Sequence, residues 1–292
     1  MDFITAEDLI KLCENGLSIA DAMRTREIEQ GETDAVTVEE KMKKALKIMR
    51  DSAHKPLERV LPSTGGLIGG EAAKLNEHAM SGRSICGTVM TKALIYSQAV
   101  PEVNASMGVI VAAPTAGSAG VVPAVLFALE DEFGLDEKTL LDGLFTAGAV
   151  GYLLMKHASV SGAQAGCQAE VGSASAMAAA MAVAMMGGTA EQSLDAASIA
   201  LSNLLGLVCD PIAGLVEAPC QSRNAIGAAN AITCAEMALS GIKAVVPFTE
   251  MMQAMYRVGC RLPSELRETA LGGCATTPTG CAHNCRIFGG CE

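Results

Sequence analysis

Residues 156–230 constrain this chain more than any other stretch. They begin KHASVSGAQAGCQAEVG, continue through an Ala- and Met-rich run, and end in VCDPIAGLVEAPCQSRN before helical sequence resumes. The run from Ala174 to Gly187 is apolar on every side of a helix, so it has to be buried. It falls short of the roughly 20 residues needed to cross a bilayer, which predicts a core helix and no membrane span. Three cysteines stand around it beside glycine or proline: Gly166-Cys167, Cys209-Asp210-Pro211 and Pro219-Cys220. A cysteine inside an apolar helix serves as a small buried hydrophobe. At a helix break the backbone frees its N–H groups, and a thiolate can point into a cavity. These three are read as one metal-binding set, and the rest of the chain as its scaffold.

Composition agrees with a helical scaffold. Half of the 292 residues are hydrophobic, yet only 3% are aromatic and Trp is absent. Ala, Gly, Met and Leu carry the apolar content, and small side chains let helices approach closely. The expectation is an all-α fold, one compact multi-helix domain over residues 1–292 with glycine-rich loops converging on the site. The net charge is −11 without a basic run, which argues against a nucleic-acid partner. Eleven cysteines, an odd number, follow an acidic amphipathic N-terminus rather than a signal peptide. Metal-binding or reactive thiols in a reducing cytoplasm fit that pattern better than a disulfide framework.

Helix signals recur along the chain. Thr5-Ala-Glu-Asp8 reads as a capping box opening a first helix. A second runs from Ser18 to Gln30 and ends at Gly31. Thr37-Val-Glu-Glu40 caps a third, and together they make a solvated helical layer. Asp136 to Leu154 is a further helix or a pair; Ser173 to Gly187 and Thr189 to Leu207 are two buried ones; Asn224 to Leu239 is another. Cys13, Cys86, Cys234 and Cys260 are expected to be plain core thiols.

Two loops are rich in small residues. LPSTGGLIGG, residues 61–70, places Ser63, Thr64 and Gly65 together, without the lysine of a nucleotide P-loop. AAPTAGSAGVVPAVL, residues 112–126, places Thr115, Gly117 and Ser118 ahead of an apolar helix. Small-residue turns at helix N-termini can cradle a carboxylate or phosphate, although close packing of helix ends needs glycines as well. Lys156 precedes a possible ligand loop carrying Ser159 and Ser161, and Glu170, three residues after Cys167, shares that cysteine's helical face. The last nineteen residues, 274–292, form a Cys-rich tail with Cys274, Cys281, Cys285 and Cys291. Four thiols in a fraying tail would invite oxidation, so the tail is expected to be tied down or metal-bound. Cys281 and Cys285 could form one half of a zinc knuckle, but no second pair lies upstream, and no ferredoxin-type C-x2-C-x2-C run occurs. Three widely separated thiolates suit a cluster assembled by the tertiary fold, with one iron left open as a Lewis acid.

SVSGAQAGCQAEVG, VCDPIAGLVEAPCQSRN and AAPTAGSAGVVPAVL, together with LPSTGGLIGG, resemble the α chain of the iron–sulfur-dependent L-serine dehydratases over nearly the whole chain. The resemblance implies a [4Fe–4S] cluster held by Cys167, Cys209 and Cys220, and deamination of L-serine to pyruvate and ammonia. It also implies a separate β chain and so a hetero-oligomer. In some fused relatives a C-terminal cysteine reaches the fourth iron; here Cys281, Cys285 and Cys291 compete for that role. On this reading the loops with Ser63, Thr64 and Gly65 and with Thr115, Gly117 and Ser118, and Ser161 beyond Lys156, hold substrate. Lys156 is the candidate base or electrostatic partner, with a cysteine thiolate freed from the iron as the rival base. Rival readings are a related lyase acting on L-cysteine, a non-catalytic iron–sulfur sensor, and a zinc-stabilised helical module.

Overall fold

The computed structural model describes residues 2–289. The side chain of Thr5 opens α1 (Ala6–Glu14) and that of Ser18 opens α2 (Ile19–Gln30), each with a complete capping box. α3 (Ala35–Glu58) is capped by Asp34 instead of the expected Thr37, whose N–H donates to Asp34 Oδ1 at 2.8 Å. An aspartate three residues earlier takes the capping position, and Thr37 becomes the third helical residue. α4 (Glu71–Met80), α5 (Thr88–Ala105) and α6 (Val121–Phe133) follow. α7 (Glu137–His157) is one unbroken helix rather than a pair. The short α8 (Gly162–Ala165) leads to α9 (Ser173–Met185) and α10 (Ala190–Asn203). α11 (Cys220–Leu239) starts four residues earlier than its sequence pattern predicts, at the third cysteine itself. α12 (Phe248–Gly259) and α13 (Pro278–Phe288) complete the chain. Among the described residues there is no strand, only an isolated bridge between Cys209 and Arg267.

α9 is the centre of the molecule. α6, α7, α10 and α11 all pack on it, and all but one of its residues are buried. A helix so rich in Ala presents almost no side-chain relief, so its neighbours close in to the backbone. Gly227 on α11 is packed as closely against α6 and the turn that leads into α9. A Cβ there would stand 2.8 Å from Val171 and 2.9 Å from Val121. The N-terminal layer remains more solvated, yet it seals the core. Arg24, Arg26 and Arg50 lay their guanidinium groups over Phe145, Tyr152 and Phe127 at 4.3, 3.6 and 4.7 Å.

The tail is tied down by its backbone. Residues on both sides of Arg267 pair with Cys209: Cys209 N–H donates to Leu266 O, and Glu268 N–H donates to Cys209 O. The first turn of α13 is capped by Thr277. Of the cysteines expected in the core, Cys234 is fully buried and Cys13 and Cys86 are partly so. Cys260 is exposed instead, because it follows the last residue of α12, beyond that helix's buried stripe. Among the described residues no helix is long and apolar enough to cross a membrane.

Gly227→Ala should therefore destabilise the fold. The gain in helix propensity is at most about 1 kcal/mol, while overpacking costs about 1–3 kcal/mol. A lower urea midpoint at unchanged slope is the expected result; an unchanged or higher midpoint would show that Val171 and Val121 yield freely.

Candidate metal centre

Each of the three central cysteines sits where a helix is broken, and each break has a local cause. Cys167 follows Gly166, whose φ of +75° places it in the left-handed region. A side chain at Gly166 would also strike Leu262 at 2.6 Å and the Leu207 carbonyl at 2.8 Å. After Cys167 the chain makes one π-helical turn, residues 168–172, before α9 begins. Such turns are rare and recur at functional sites. Gln168 fixes this turn: its N–H and side chain bond Leu207 O, Met255 O and the Gly206 N–H. Cys209 lies on the extended segment paired with residues 266–268. Cys220 is the first residue of α11, directly after a cis Ala218–Pro219 bond.

These elements bring the sulfurs into one buried cluster. Cys167, Cys209 and Cys220 are 2%, 2% and 6% exposed. Glu170 reaches between the first two, with Oε2 at 3.8 Å from Cys167 Sγ and 3.7 Å from Cys209 Sγ. The ligand atoms of Cys167, Glu170 and Cys209 all lie within 4.8 Å of one another. Cys220 is close enough to feel the charges of Cys167 and Glu170. Burial pushes the Cys220 thiol up to about 12. The Cys209 thiol is raised by its contact with Cys167 and by burial, and burial raises the Glu170 carboxyl against the Thr115 hydrogen bond.

Arg223, one turn into α11, supplies the positive charge beside this set. Nη1 donates to Val208 O at 2.7 Å and points at Cys167 Sγ at 3.7 Å. Nη2 pairs with Asp210 at 2.7 Å. Asp210 is 2% exposed and also accepts from the Cys274 N–H at 2.7 Å. Burial acts against its carboxylate, but the Cys274 N–H and Arg223 outweigh burial and hold it below the usual range. Gly273 fits over Asp210 because a side chain there would overlap the carboxylate. Arg223 and Asp210 thus join two of the thiol segments to the start of the tail.

The two small-residue loops both meet carboxylates of the protein. Ser63 Oγ, Gly65 N–H and Leu67 N–H converge on Glu217 at 2.8, 2.6 and 2.9 Å. Thr64 instead bonds Ala105 O through its hydroxyl and N–H. Thr115 Oγ1 donates to Glu170 Oε1 at 2.7 Å, and Gly117 leaves room for that carboxylate. Ser118 is fully buried, with its hydroxyl 3.1 Å from that of Thr115. Asn224 locks this loop to α11 through Gly117 O, Cys220 O and the Gly120 N–H. Ser161 precedes α8, whose Gly162 lies against both Glu170 and Cys209.

Lys156 is exposed in the last turn of α7, just before the loop that runs to Gly162. His157 beside it bonds Ile4 O. Cys281 is exposed on α13, its sulfur near Ala275 O at 3.8 Å, and Cys285 lies one turn further on. Cys291 lies outside the described residues. Arg223, Asp210, Glu217 and Asn224 were not singled out by the sequence reading. All four fall inside the quoted motif VCDPIAGLVEAPCQSRN, and charged residues flanking cysteines at helix breaks were the available signal.

Comparison with known proteins agrees with this architecture. Residues 14–275 match the family model described as serine dehydratase alpha chain. The chain is 48% identical to the Bacillus subtilis (strain 168) protein named probable L-serine dehydratase, alpha chain, over 99% of this chain and 96% of that protein. It is 46% identical to the L-serine dehydratase alpha chain of Peptoniphilus asaccharolyticus, over 94% of this chain and 95% of that one. It is also 39% identical to the L-serine dehydratase of Helicobacter pylori (strain ATCC 700392 / 26695); the match covers 94% of this chain and 62% of that longer protein. The chain belongs to the serine dehydratase alpha chain family.

Proposed function

We propose that this chain is the catalytic α subunit of an iron–sulfur L-serine dehydratase, which converts L-serine to pyruvate and ammonia. The observation that carries the proposal is the buried set Cys167, Cys209 and Cys220, assembled from three helix breaks in a chain of this family. The donor set fits a [4Fe–4S] cluster. Three soft sulfur ligands come from separate segments, small residues such as Gly162 surround them, and an arginine N–H lies beside one sulfur. Held by these thiolates, a cluster with one open iron would supply a Lewis acid for the departing β-hydroxyl.

The chain's own residues account for the remaining needs. Elimination removes a Cα proton and the hydroxyl of serine; the aminoacrylate formed becomes an imine, and water releases ammonia. The substrate carboxylate is assigned to residues 115–118, where the Thr115 hydroxyl already holds a carboxylate oxygen beside the thiols. Gly162, which lies against Glu170 and Cys209, supports assigning Ser161 before it to the opposing side of that position. The donors of Ser63 and Gly65 are matched by Glu217, so this loop, with Thr64 anchored on Ala105, acts first as a wall that fixes the segment between Cys209 and Cys220. Lys156, at the solvent end of the loop leading to Gly162, is the proposed acceptor of the Cα proton. Names of relatives that specify an alpha chain, and the longer single-chain relative, support a separate β partner. Nine free thiols among the described residues, beside a disulfide at Cys285, favour a reducing compartment such as the cytoplasm.

Anaerobic purification with iron, sulfide and pyruvate assays tests the proposal. Single Cys→Ser changes at positions 167, 209 and 220 should each lower iron and sulfide content and abolish pyruvate formation from L-serine. Full iron content in all three would refute the ligand set, and sulfide release from L-cysteine without turnover of L-serine would reassign the substrate. Lys156→Ala should leave cluster absorbance intact and remove turnover; retained turnover would assign the proton to another group.

A further inference from the structure

The arrangement around Glu170 has a property that a three-thiolate cluster site does not require. The carboxylate is 8% exposed and held by both ends. Thr115 donates to Oε1, which turns Oε2 toward the two sulfurs. Oε2 then lies 3.8 Å from Cys167 Sγ and 3.7 Å from Cys209 Sγ. A tetrahedral ion with bonds of about 2.3 Å to sulfur and about 2.0–2.2 Å to oxygen places those atoms about 3.6 Å apart. A cluster instead puts each sulfur on a different iron and spreads the ligands further. In the metal-free chain the two thiols donate to Oε2, and these contacts would need to shorten by only about 0.1–0.2 Å to become ligands of a single ion.

We infer that the cluster-free chain binds one divalent ion of the zinc or ferrous type, held by Cys167 Sγ, Cys209 Sγ and Glu170 Oε2. The chemistry of the donors selects the ion. Two thiolates and one carboxylate suit a borderline divalent transition metal and disfavour Mg2+ or Ca2+, which take all-oxygen sites. On binding, each thiol gives its proton to solvent and the sulfur donates a lone pair to the metal; no electron transfer is involved. Three anionic ligands on a divalent ion leave one negative charge, and the Arg223 guanidinium beside Cys167 offsets it. Thr115 serves as the outer partner that orients the carboxylate. Cys220 stands at the edge of this set, outside the group of mutually close ligand atoms. Conversion to a cluster site then requires Glu170 to withdraw while Cys220 takes its place as a ligand. The ion site needs only the geometry of the thiols and Glu170, and stands apart from the dehydratase reading, although both use Cys167 and Cys209.

The test uses the full-length chain, reduced, stripped with a chelator and kept anaerobic. Titration with Co2+ is expected to give one ion per chain and a thiolate-to-cobalt charge-transfer band, lost on addition of Zn2+ and unaffected by excess Mg2+. Thr115→Val should weaken Co2+ binding by roughly 10–100-fold, the usual cost of losing an outer partner. Glu170→Gln should weaken it more, and Cys220→Ser should leave the one-ion complex in place. Circular dichroism of each variant establishes that it is folded, and Glu170→Asp, which keeps the charge on a shorter arm, should fall between wild type and Glu170→Gln. Co2+ binding unchanged in Glu170→Gln, or lost in Cys220→Ser, would overturn the proposal in favour of a three-thiolate site. Failure to reconstitute iron and sulfide would count against the cluster and leave the Co2+ result standing.

Discussion

Acidic groups buried together govern this structure. Three thiols and a carboxyl are buried side by side, and Arg223 brings a guanidinium against Cys167. Burying an unpaired charge costs several kcal/mol even after relaxation. Contact with Cys167 and burial accordingly raise the Cys209 thiol, and burial raises that of Cys220. The same cost makes the pocket receptive to positive charge, because a bound metal removes it. On the proposed reading, affinity for a metal would come from relief of that cost as much as from any single ligand.

The scaffold meets that cost by rigidity. α9 has little side-chain bulk, so α6, α7, α10 and α11 settle close around it and fix the breaks at its N-terminal end. The breaks are then held by backbone groups: Gln168 across to residues 206–207, Asn224 across to residues 117–120, and Glu217 across to residues 63–67. Each staple is a buried polar side chain with its partners satisfied, which specifies one arrangement where an apolar contact would tolerate several.

Much of this was legible in the sequence. Helix caps at Thr5 and Ser18 and the apolar run in α9 announced an all-α fold through local rules alone. Cysteines beside Gly166, Pro211 and Pro219 marked the candidate metal centre, because those neighbours break helices. Other features depended on partners distant in sequence. Nothing near residues 63–67 says that their donors meet Glu217, about 150 positions away. The start of α11 at Cys220 was hidden because Pro219 reads as a breaker, although proline is equally at home just before a helix. Thr37-Val-Glu-Glu40 has the form of a cap, but Asp34 offers the same chemistry one turn earlier and takes the position. Cys260 was misplaced for want of any sequence signal separating the last buried turn of α12 from the turn after it.

The pairing of residues 266–268 with Cys209, and of Cys274 with Asp210, is made by main-chain groups on the tail side. Hydrogen bonds of that kind are indifferent to side-chain identity but strict about chain length. Between α12 and α13, replacements at exposed positions leave these bonds in place; Gly272, Gly273 over Asp210, and Leu262 against Gly166 are the exceptions. An inserted or deleted residue in the same loop would shift the register of the Cys209 bridge and carry that sulfur with it. This connection behaves as a ruler: its spelling is free and its count is fixed.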